Sequence, residues 1–518
     1  MVSERRMNSF ILFRDRLESR RIGWRPRRFR VIMRDRLMQK LMEYLIRQPE
    51  RNVVVFSLAL LLAGNWIMPL TDRDEVRFAE ASREMIQRGD YVVPWFNGAY
   101  RFDKPILIYW CQSTSYRIFG VNDFAARFPS VLFTTGTALI LVRWGRRLAD
   151  ARTGFFAGVM FVAGLHIAVM GRAATADMAL IFFYTLTVWS GWEWTRPGQP
   201  HRIRWWWIFF VGFALTFLAK GPEGYLPLVG LVICRWLHRA DFELRPVPTL
   251  AGFLLSLGLI GLWGIPALMQ TQGKYLNVGI GEHVIHRAVS VNDSHGLKGY
   301  GGFLLSLPVY FVTFFGSFFP WSIRMPAAIS RWWPKRGGDV VGSYLMVQAL
   351  VVFTVFSLVH TKLLHYTLPA FPCIALWLAL QLAPRKNETV WLGKCMAGMA
   401  LFIAIVMFGF FSVAKYHFLT ENLWRATRAY VRPETKVGCF GFTESSLVWR
   451  FRTVSTNLVT LGPEKDAADF LTNPPPFILV VPTRDMTNFP DTNDLQVQVN
   501  GLDIVRLRHW DLTAIVRP

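Results

Sequence analysis

The carboxylates that could do chemistry stand where an apolar run ends. Asn52 to Leu70 is of membrane length, and Thr71-Asp72-Arg73-Asp74-Glu75 follows it directly. A carboxylate beside hydrocarbon is costly to desolvate and is kept for a partner, an ion or a proton. Cations recur at similar edges: Lys104 in Arg101-Phe102-Asp103-Lys104-Pro105, Lys220 before Gly221-Pro222, and Lys362 with His365 in His360-Thr361-Lys362-Leu363-Leu364-His365-Tyr366. The run Gly281-Glu282-His283-Val284-Ile285-His286-Arg287 offers either a His/Glu metal cluster or donors for a phosphate, His283 and Arg287 sharing a face if helical.

Each position also has a plain structural reading. Lys220 before Gly and Pro matches helix termination. Arg172 and Asp177 flank a short turn of small residues, as a salt bridge would. Lys104 sits near a helix start, where a cation gains nothing from the dipole, so it either anchors at the membrane surface or meets an anion. Taken together, the residue types suit group transfer from an anionic lipid. A carboxylate acts as general base on an acceptor hydroxyl, while Lys and Arg hold a phosphate and stabilise the charge that grows on it. A proton-coupled transporter would instead pair such charges within its spans.

The elements that position these residues are membrane helices. Of 518 residues, 52% are hydrophobic and 18% charged, with 21 Trp and 42 Phe, which is too apolar for a soluble chain of this size. Apolar runs recur near 52–70, 124–141, 154–170, 175–192, 205–219, 224–237, 250–269, 302–323, 343–359, 363–382 and 390–413. They predict about eleven spans of roughly 20 residues. The net charge of +23 gathers mainly where short loops meet alternate spans, as at Arg143, Arg146 and Arg147, then Arg235 and Arg239, then Arg385 and Lys386. That pattern sets orientation, with the N-terminus cytoplasmic, rather than nucleic-acid binding. No cleavable signal peptide is visible.

This topology divides the chain into a basic amphipathic cytoplasmic arm (1–51), a membrane region (52–415) whose first periplasmic loop is 71–123, and a small soluble periplasmic α/β domain (416–518). In the loop, Glu75 to Arg88 and Ile106 to Phe119 are expected as interfacial helices. In the last domain, strands are expected at Lys436 to Phe442, Leu458 to Leu461, Phe477 to Val481, Ile504 to Leu507 and Leu512 to Val516, with a helix over Glu464 to Leu471. The five cysteines have no metal spacing; only Cys111 and Cys439 would face an oxidising compartment, and nothing supports a disulfide between them.

Asp74-Glu75-Val76-Arg77-Phe78-Ala79-Glu80 with Arg83-Glu84-Met85, then Gly89-Asp90-Tyr91-Val92-Val93-Pro94, Phe96-Asn97-Gly98 and Phe102-Asp103-Lys104-Pro105, resembles the first periplasmic loop of bacterial polyprenyl-phosphate-sugar glycosyltransferases. That family includes lipid A aminoarabinose transferases and is related to protein O-mannosyltransferases. Lys220-Gly221, Glu282-His283 and Lys362 to Pro369 recur in the family order. The resemblance implies a GT-C fold and an inverting transfer of a sugar from undecaprenyl phosphate to a periplasmic acceptor. The acceptor would be lipid A, lipopolysaccharide or another envelope glycan, with a protein hydroxyl as the alternative. The partners are then a polyprenyl-phosphate-linked sugar, a lipid or glycan acceptor and the membrane lipids of a bacterial inner membrane, with no nucleic acid.

Mapped by that resemblance, Asp74 is the general base, with Glu75 and Asp177 as further catalytic candidates. Lys104 and Arg287 map to residues that hold the donor phosphate, and Arg77, Lys220, Lys362 and His365 complete the candidate set for it. Asp103 and His283 correspond to a position where relatives can hold a divalent ion, though no cofactor is obligatory. Phe78 stands where aminoarabinose transferases have Tyr, and Asp103 stands where their motif has Glu. The first departure removes a hydroxyl that could touch donor or acceptor, so that family's sugar is not carried over.

Overall fold

The computed structural model describes residues 26–70, 73–286, 299–452, 454, 458–462, 464–489, 493–503 and 508–518. Each of the eleven apolar stretches contains helix, but many of these helices are short and several stretches are broken. After α1 (Pro26–Ile46) come α2 (Pro49–Leu62), the loop helices α3 (Arg73–Arg88) and α4 (Leu107–Phe119), α5 (Asp123–Leu148), α6 (Ala151–Val162) and α7 (Leu165–Met170). Then follow α8 (Asp177–Thr195), α9 (Arg202–Lys220), α10 (Leu226–Leu237) and α11 (Pro246–Gln270). The last membrane helices are α12 (Gly299–Ser306), α13 (Val309–Ser317), α14 (Met325–Trp332), α15 (Val340–Leu358), α16 (Phe371–Leu382) and α17 (Lys386–Ala404).

Five described helices are long and apolar enough to cross a membrane: α5, α9, α11, α15 and the run Asn387–His417 that begins in α17. The segments Gly301–Ser317 and Trp321–Lys335 would make a sixth, bent by 107°. The remaining stretches fall short by length or composition, α2 having 14 residues and α6, α10 and α16 having 12 each. The stretch 154–170, for example, breaks at Ala163 and Gly164 between α6 and α7.

Local chemistry sets several boundaries. Asn122, Asp150 and Asp339 each accept a backbone N–H at the start of α5, α6 and α15, satisfying donors that a helix start leaves unbonded. α5 and α6 pack through glycine: a Cβ on Gly154 would stand 2.3 Å from the Val142 carbonyl oxygen. Such close backbone approach is how small residues hold membrane helices together where burial gains nothing against lipid.

The arm is helical from Pro26, and α1 packs on α17 through Met38 and Met42 beside Gly393, with Lys394 2.6 Å from Asp35. Apolar residues also occupy its exposed side, at Leu37, Leu41 and Tyr44. Residues 1–25 of the arm lie outside the described residues.

The C-terminal region forms a five-stranded sheet from β3 (Lys436–Phe440), β4 (Leu458–Leu461), β5 (Phe477–Pro482), β6 (Leu495–Asp503) and β7 (Arg508–Arg517), after the small loop hairpin of β1 (Trp95–Phe96) and β2 (Ala99–Tyr100). Its order is β4-β3-β5-β7-β6, parallel through β5 and antiparallel beyond it. Ile478 and Val480 of β5 face a core with Leu423 of α18 (Leu419–Thr427) and Phe451 of α19 (Ser445–Arg452); Leu479 and Val481 face Phe470 of α20 (Glu464–Phe470). A strand covered on both faces reads as a continuous apolar run, which is why β5 was visible in the sequence. β6 was not foreseen, and the expected strand at Ile504 to Leu507 lies outside the described residues.

Two glycines should respond with opposite signs. Gly154→Val forces a Cβ into backbone and should lower the thermal midpoint in detergent, the cost being at least about 1–3 kcal/mol. Gly398→Ala in α17, where a Cβ meets nothing within 4 Å, should raise it slightly, by roughly 0.5–1 kcal/mol.

Candidate active site

The loop helix α3 is fixed by a buried arginine from α5. Arg127 donates to both Glu75 oxygens, at 2.9 and 3.0 Å, and to the carbonyls of Asn65 (3.0 Å), Met68 (2.5 Å) and Pro69 (3.3 Å). Glu75 Oε1 also accepts the Ala174 N–H at 2.8 Å. Both carboxylate oxygens are therefore committed, and Glu75 takes a structural part rather than the catalytic one expected of it. The neighbouring Asp74 turns about 100° away around the helix and is exposed. Its charge acts on Arg101, Tyr109 and His365.

The second half of the loop folds back on α3. Asn97 and Gly98, at φ 52° and 79°, make the turn between β1 and β2, which needs two left-handed residues. Both of their N–H groups donate to Glu84, at 2.6 and 3.3 Å. Arg101 is buried, donating to the Tyr109 hydroxyl at 3.1 Å, pairing with Asp103 at 2.9 Å and lying 5.2 Å over the Phe78 ring. Phe78 is thus packed under a guanidinium.

Beyond Asp103 a cavity of about 250 Å³ opens between the loop and α11. Lys104 and Lys220 stand among its polar lining, and Leu257, Ile260, Ile265 and Leu268 among its apolar lining. Gly261 and Gly264 leave part of α11 bare within it. Lys220 is buried, 2.8 Å from Asp177 and 3.6 Å from Glu223; the other Asp177 oxygen accepts from the Thr175 hydroxyl at 2.8 Å. Among the described residues no carboxylate pairs with the Lys104 ammonium. Desolvation first, then the nearby Lys220 charge, holds Lys104 below the ordinary lysine range. An anion in the cavity would relieve both effects, and the lining suits a long apolar chain with an anionic head.

Other expected site residues lie elsewhere. Arg77 donates to the Ser445 hydroxyl of α19 at 3.2 Å, facing the C-terminal sheet region. Lys362 donates to the carbonyls of Phe356 (3.1 Å), Ser357 and Val359, closing the end of α15 as a helix-terminating cation does. His365 stays with the cluster, within electrostatic reach of Asp177 and Lys220. Asp72 and Arg287 lie outside the described residues, as does the His283 side chain. Asp103 is engaged by Arg101, and no three His, Cys, Asp or Glu side chains gather at metal-ligating range among the described residues.

With this geometry in view, comparison with known proteins is informative. The family model described as dolichyl-phosphate-mannose-protein mannosyltransferase matches residues 103–263. An undecaprenyl phosphate-alpha-4-amino-4-deoxy-L-arabinose arabinosyl transferase of Edwardsiella ictaluri is 29% identical, covering 62% of this chain and 58% of its own. Its counterpart in Pectobacterium carotovorum is 28% identical, covering 69% and 64%. The chain thus spans 58% and 64% of these relatives' lengths. In structure it superposes on ArnT from Cupriavidus metallidurans bound to undecaprenyl phosphate with a TM-score of 0.72 at 17% identity, covering 89% of this chain and 97% of that one. The chain is similar to the polyprenyl-phosphate-sugar transferases.

The fold shared with that structure is the one the resemblance implied. Sequence reasoning missed Glu223, a second carboxylate on Lys220, because Pro222-Glu223-Gly224 reads as a helix stop. It also missed Arg127, whose place in α5 gives no sign of a partner 52 residues earlier.

Arg127→Met should leave Glu75 buried without its cation and destabilise the protein by roughly 3–5 kcal/mol. The loss would be read as a lower thermal midpoint and less monodisperse protein in detergent. Arg127→Lys, which cannot fork across Glu75 and three carbonyls, should recover only part of it.

Proposed function

We propose that this protein is an inverting glycosyltransferase that moves a sugar from a polyprenyl phosphate, undecaprenyl phosphate in a bacterial inner membrane, to an acceptor on the periplasmic face. The observation that carries this reading is the cavity of about 250 Å³ with an apolar track along α11 and Lys104 and Lys220 in its polar lining. The names of the relatives support a lipid-linked donor, and the gathering of charge at one end of the helices favours transfer over transport.

In this reading the acceptor oxygen attacks the anomeric carbon on the face away from the phosphate, and Asp74 takes its proton. The carbon–oxygen bond to phosphate breaks, and its electron pair leaves on the lipid phosphate. Lys104 and the Asp177-braced Lys220 stabilise that charge in a site poor in water. His365 lies within electrostatic reach of both Asp74 and Asp177. The loop, the active site and the C-terminal sheet share the periplasmic side, the arm 1–51 lies on the cytoplasmic side, and the soluble domain begins near residue 416. No metal is needed, because a single lipid phosphate carries less charge on leaving than a nucleotide diphosphate.

Lipid A or another envelope glycan is the acceptor we favour, since the matched arabinosyl transferases cover more of this chain than does the protein-mannosyltransferase family model. Mass spectrometry of envelope lipids, glycans and proteins from cells lacking this chain decides between them, because the lost mass identifies sugar and acceptor together.

Asp74→Asn should abolish transfer while the purified protein stays folded; full activity in that variant would overturn Asp74 as the base. Lys104 gives a pH signature. Its ammonium form binds the donor phosphate and is lost at lower pH than in an ordinary lysine, so donor KM should climb early on the alkaline side. Lys104→Arg should remove that climb, and Lys104→Met should raise donor KM roughly 10–100-fold at neutral pH.

A further inference from the structure

The membrane face opposite the candidate active site carries a pocket of its own. α9 runs from Arg202 to Lys220, about 27 Å, and is among the helices long enough to cross, so its first turn stands at the other surface from Lys220. There a cavity of about 380 Å³ lies between the starts of α9 and α11. Its walls are Arg202, Ile203 and Trp206 of α9, Arg245 and Pro248 at the start of α11, and Trp194 at the end of α8. Gly252 of α11 leaves no room for a Cβ against the Phe210 ring, and the Ser256 hydroxyl donates to the Phe210 carbonyl at 2.8 Å, so the two helices meet directly beneath the cavity.

Its polar wall is short of negative charge. Arg202 donates to Glu243 Oε2 at 2.5 Å and to the Glu243 carbonyl at 2.7 Å, and Arg245 donates to the same Oε2 at 3.1 Å. The Glu243 N–H donates to the Thr195 carbonyl at 2.6 Å, which ties this turn to the end of α8. Among the described residues Glu243 is the one carboxylate paired with either arginine, so two guanidinium groups share one oxygen and the pocket keeps a net positive charge. The Arg245 side chain is 69% exposed and open to an incoming anion. Two guanidinium groups held side by side suit the oxygens of one phosphate.

Deeper along α11 the surface turns apolar. Val247, Leu250 and Leu254, all more than half exposed, form one stripe at helical spacing below Arg245. Ile203 and Trp207 are exposed beside them on α9. The Trp206 indole N–H donates to the Pro248 carbonyl at 2.9 Å, an aromatic ring with a polar edge at the depth where membrane proteins place tryptophan. The pocket therefore opens onto hydrocarbon as well as water, and an occupant that fits both parts has an anion at one end and an acyl chain at the other.

We propose that this pocket binds an anionic phospholipid of the leaflet opposite the candidate active site, its phosphate on Arg202 and Arg245 and an acyl chain along Val247, Leu250 and Leu254. A zwitterionic lipid brings its own cation against the arginines and is disfavoured. Seated there, the lipid bridges the starts of two helices whose far ends bear Lys220 and the lining of the first cavity, and so clamps the α9 and α11 pair. The two cavities share no lining residue, and the lipid site stands whether or not the chain transfers sugar.

Native mass spectrometry of the full-length protein in detergent, with phosphatidylglycerol or phosphatidylcholine added, reads the preference directly. Wild type should retain phosphatidylglycerol over phosphatidylcholine; equal retention would overturn the site. Arg245→Gln, at an exposed side chain, should weaken the preference roughly fivefold, and Glu243→Gln, which removes the one carboxylate shared by both arginines, should strengthen it by a similar factor. A merely structural ion pair would give a loss in both variants, so a fall in Glu243→Gln overturns the proposal. Arg143→Gln, an exposed arginine of α5 outside the pocket, should change nothing, and a fall equal to that of Arg245→Gln would assign the preference to diffuse surface charge instead. Inorganic phosphate at the lipid's concentration should not displace phosphatidylglycerol; full displacement would give the arginines to a free anion and overturn the lipid. In a second arm, phosphatidylglycerol should raise the thermal midpoint of wild type more than that of Arg245→Gln, and an equal rise in both would overturn the clamp.

Discussion

The candidate site hangs on one guanidinium. Arg127 gathers three carbonyls from the end of the first membrane segment and the Glu75 carboxylate of α3, which turns a chain leaving the bilayer into a helix of fixed direction. Taking such a pair out of water is unfavourable unless its geometry is good and its remaining bonding capacity is used. Here it is used on both sides, since Glu75 also accepts from Ala174. The anchoring has a directional result: with Glu75 turned inward, Asp74 must turn toward Arg101 and His365. Two adjacent carboxylates thus acquire different parts from helix geometry alone.

The fold was largely legible because membrane helices declare themselves by composition. Every apolar stretch contains helix, and both loop helices fell within two residues of expectation. Breaks such as that between α6 and α7 were not legible, because an apolar run gives no sign of where its backbone hydrogen bonds are interrupted. β6 carried a readable signal, the alternation Leu495-Gln496-Val497-Gln498-Val499, and its half-polar face follows from its place at the sheet edge.

Site residues divided differently. Lys104, Lys220 and Asp177 come together as residue type and edge position suggested. Arg77 and Lys362 do not join them, because an arginine or lysine at a membrane edge has many carbonyls and hydroxyls in reach, and only the tertiary arrangement chooses among them. Arg172 was read as one half of a salt bridge with Asp177. It instead caps α2, while Asp177 goes to Lys220, a partner 43 residues away.

The C-terminal sheet region meets the loop through α19. Trp449 lies 6.3 Å from the Tyr116 ring and donates to Asp123 at 2.8 Å, Arg450 bridges Asp123 and Glu421, and Arg452 reaches Asn97 at 2.9 Å. Asp123 and Trp449 are separated by 326 positions. A ribosome delivers the loop long before it delivers α19, so during synthesis the loop waits with Asp123 and Asn97 lacking their arginine partners. The loop therefore reaches its finished shape only once α19 has emerged, so the candidate active site is completed by a segment made more than 300 residues after it.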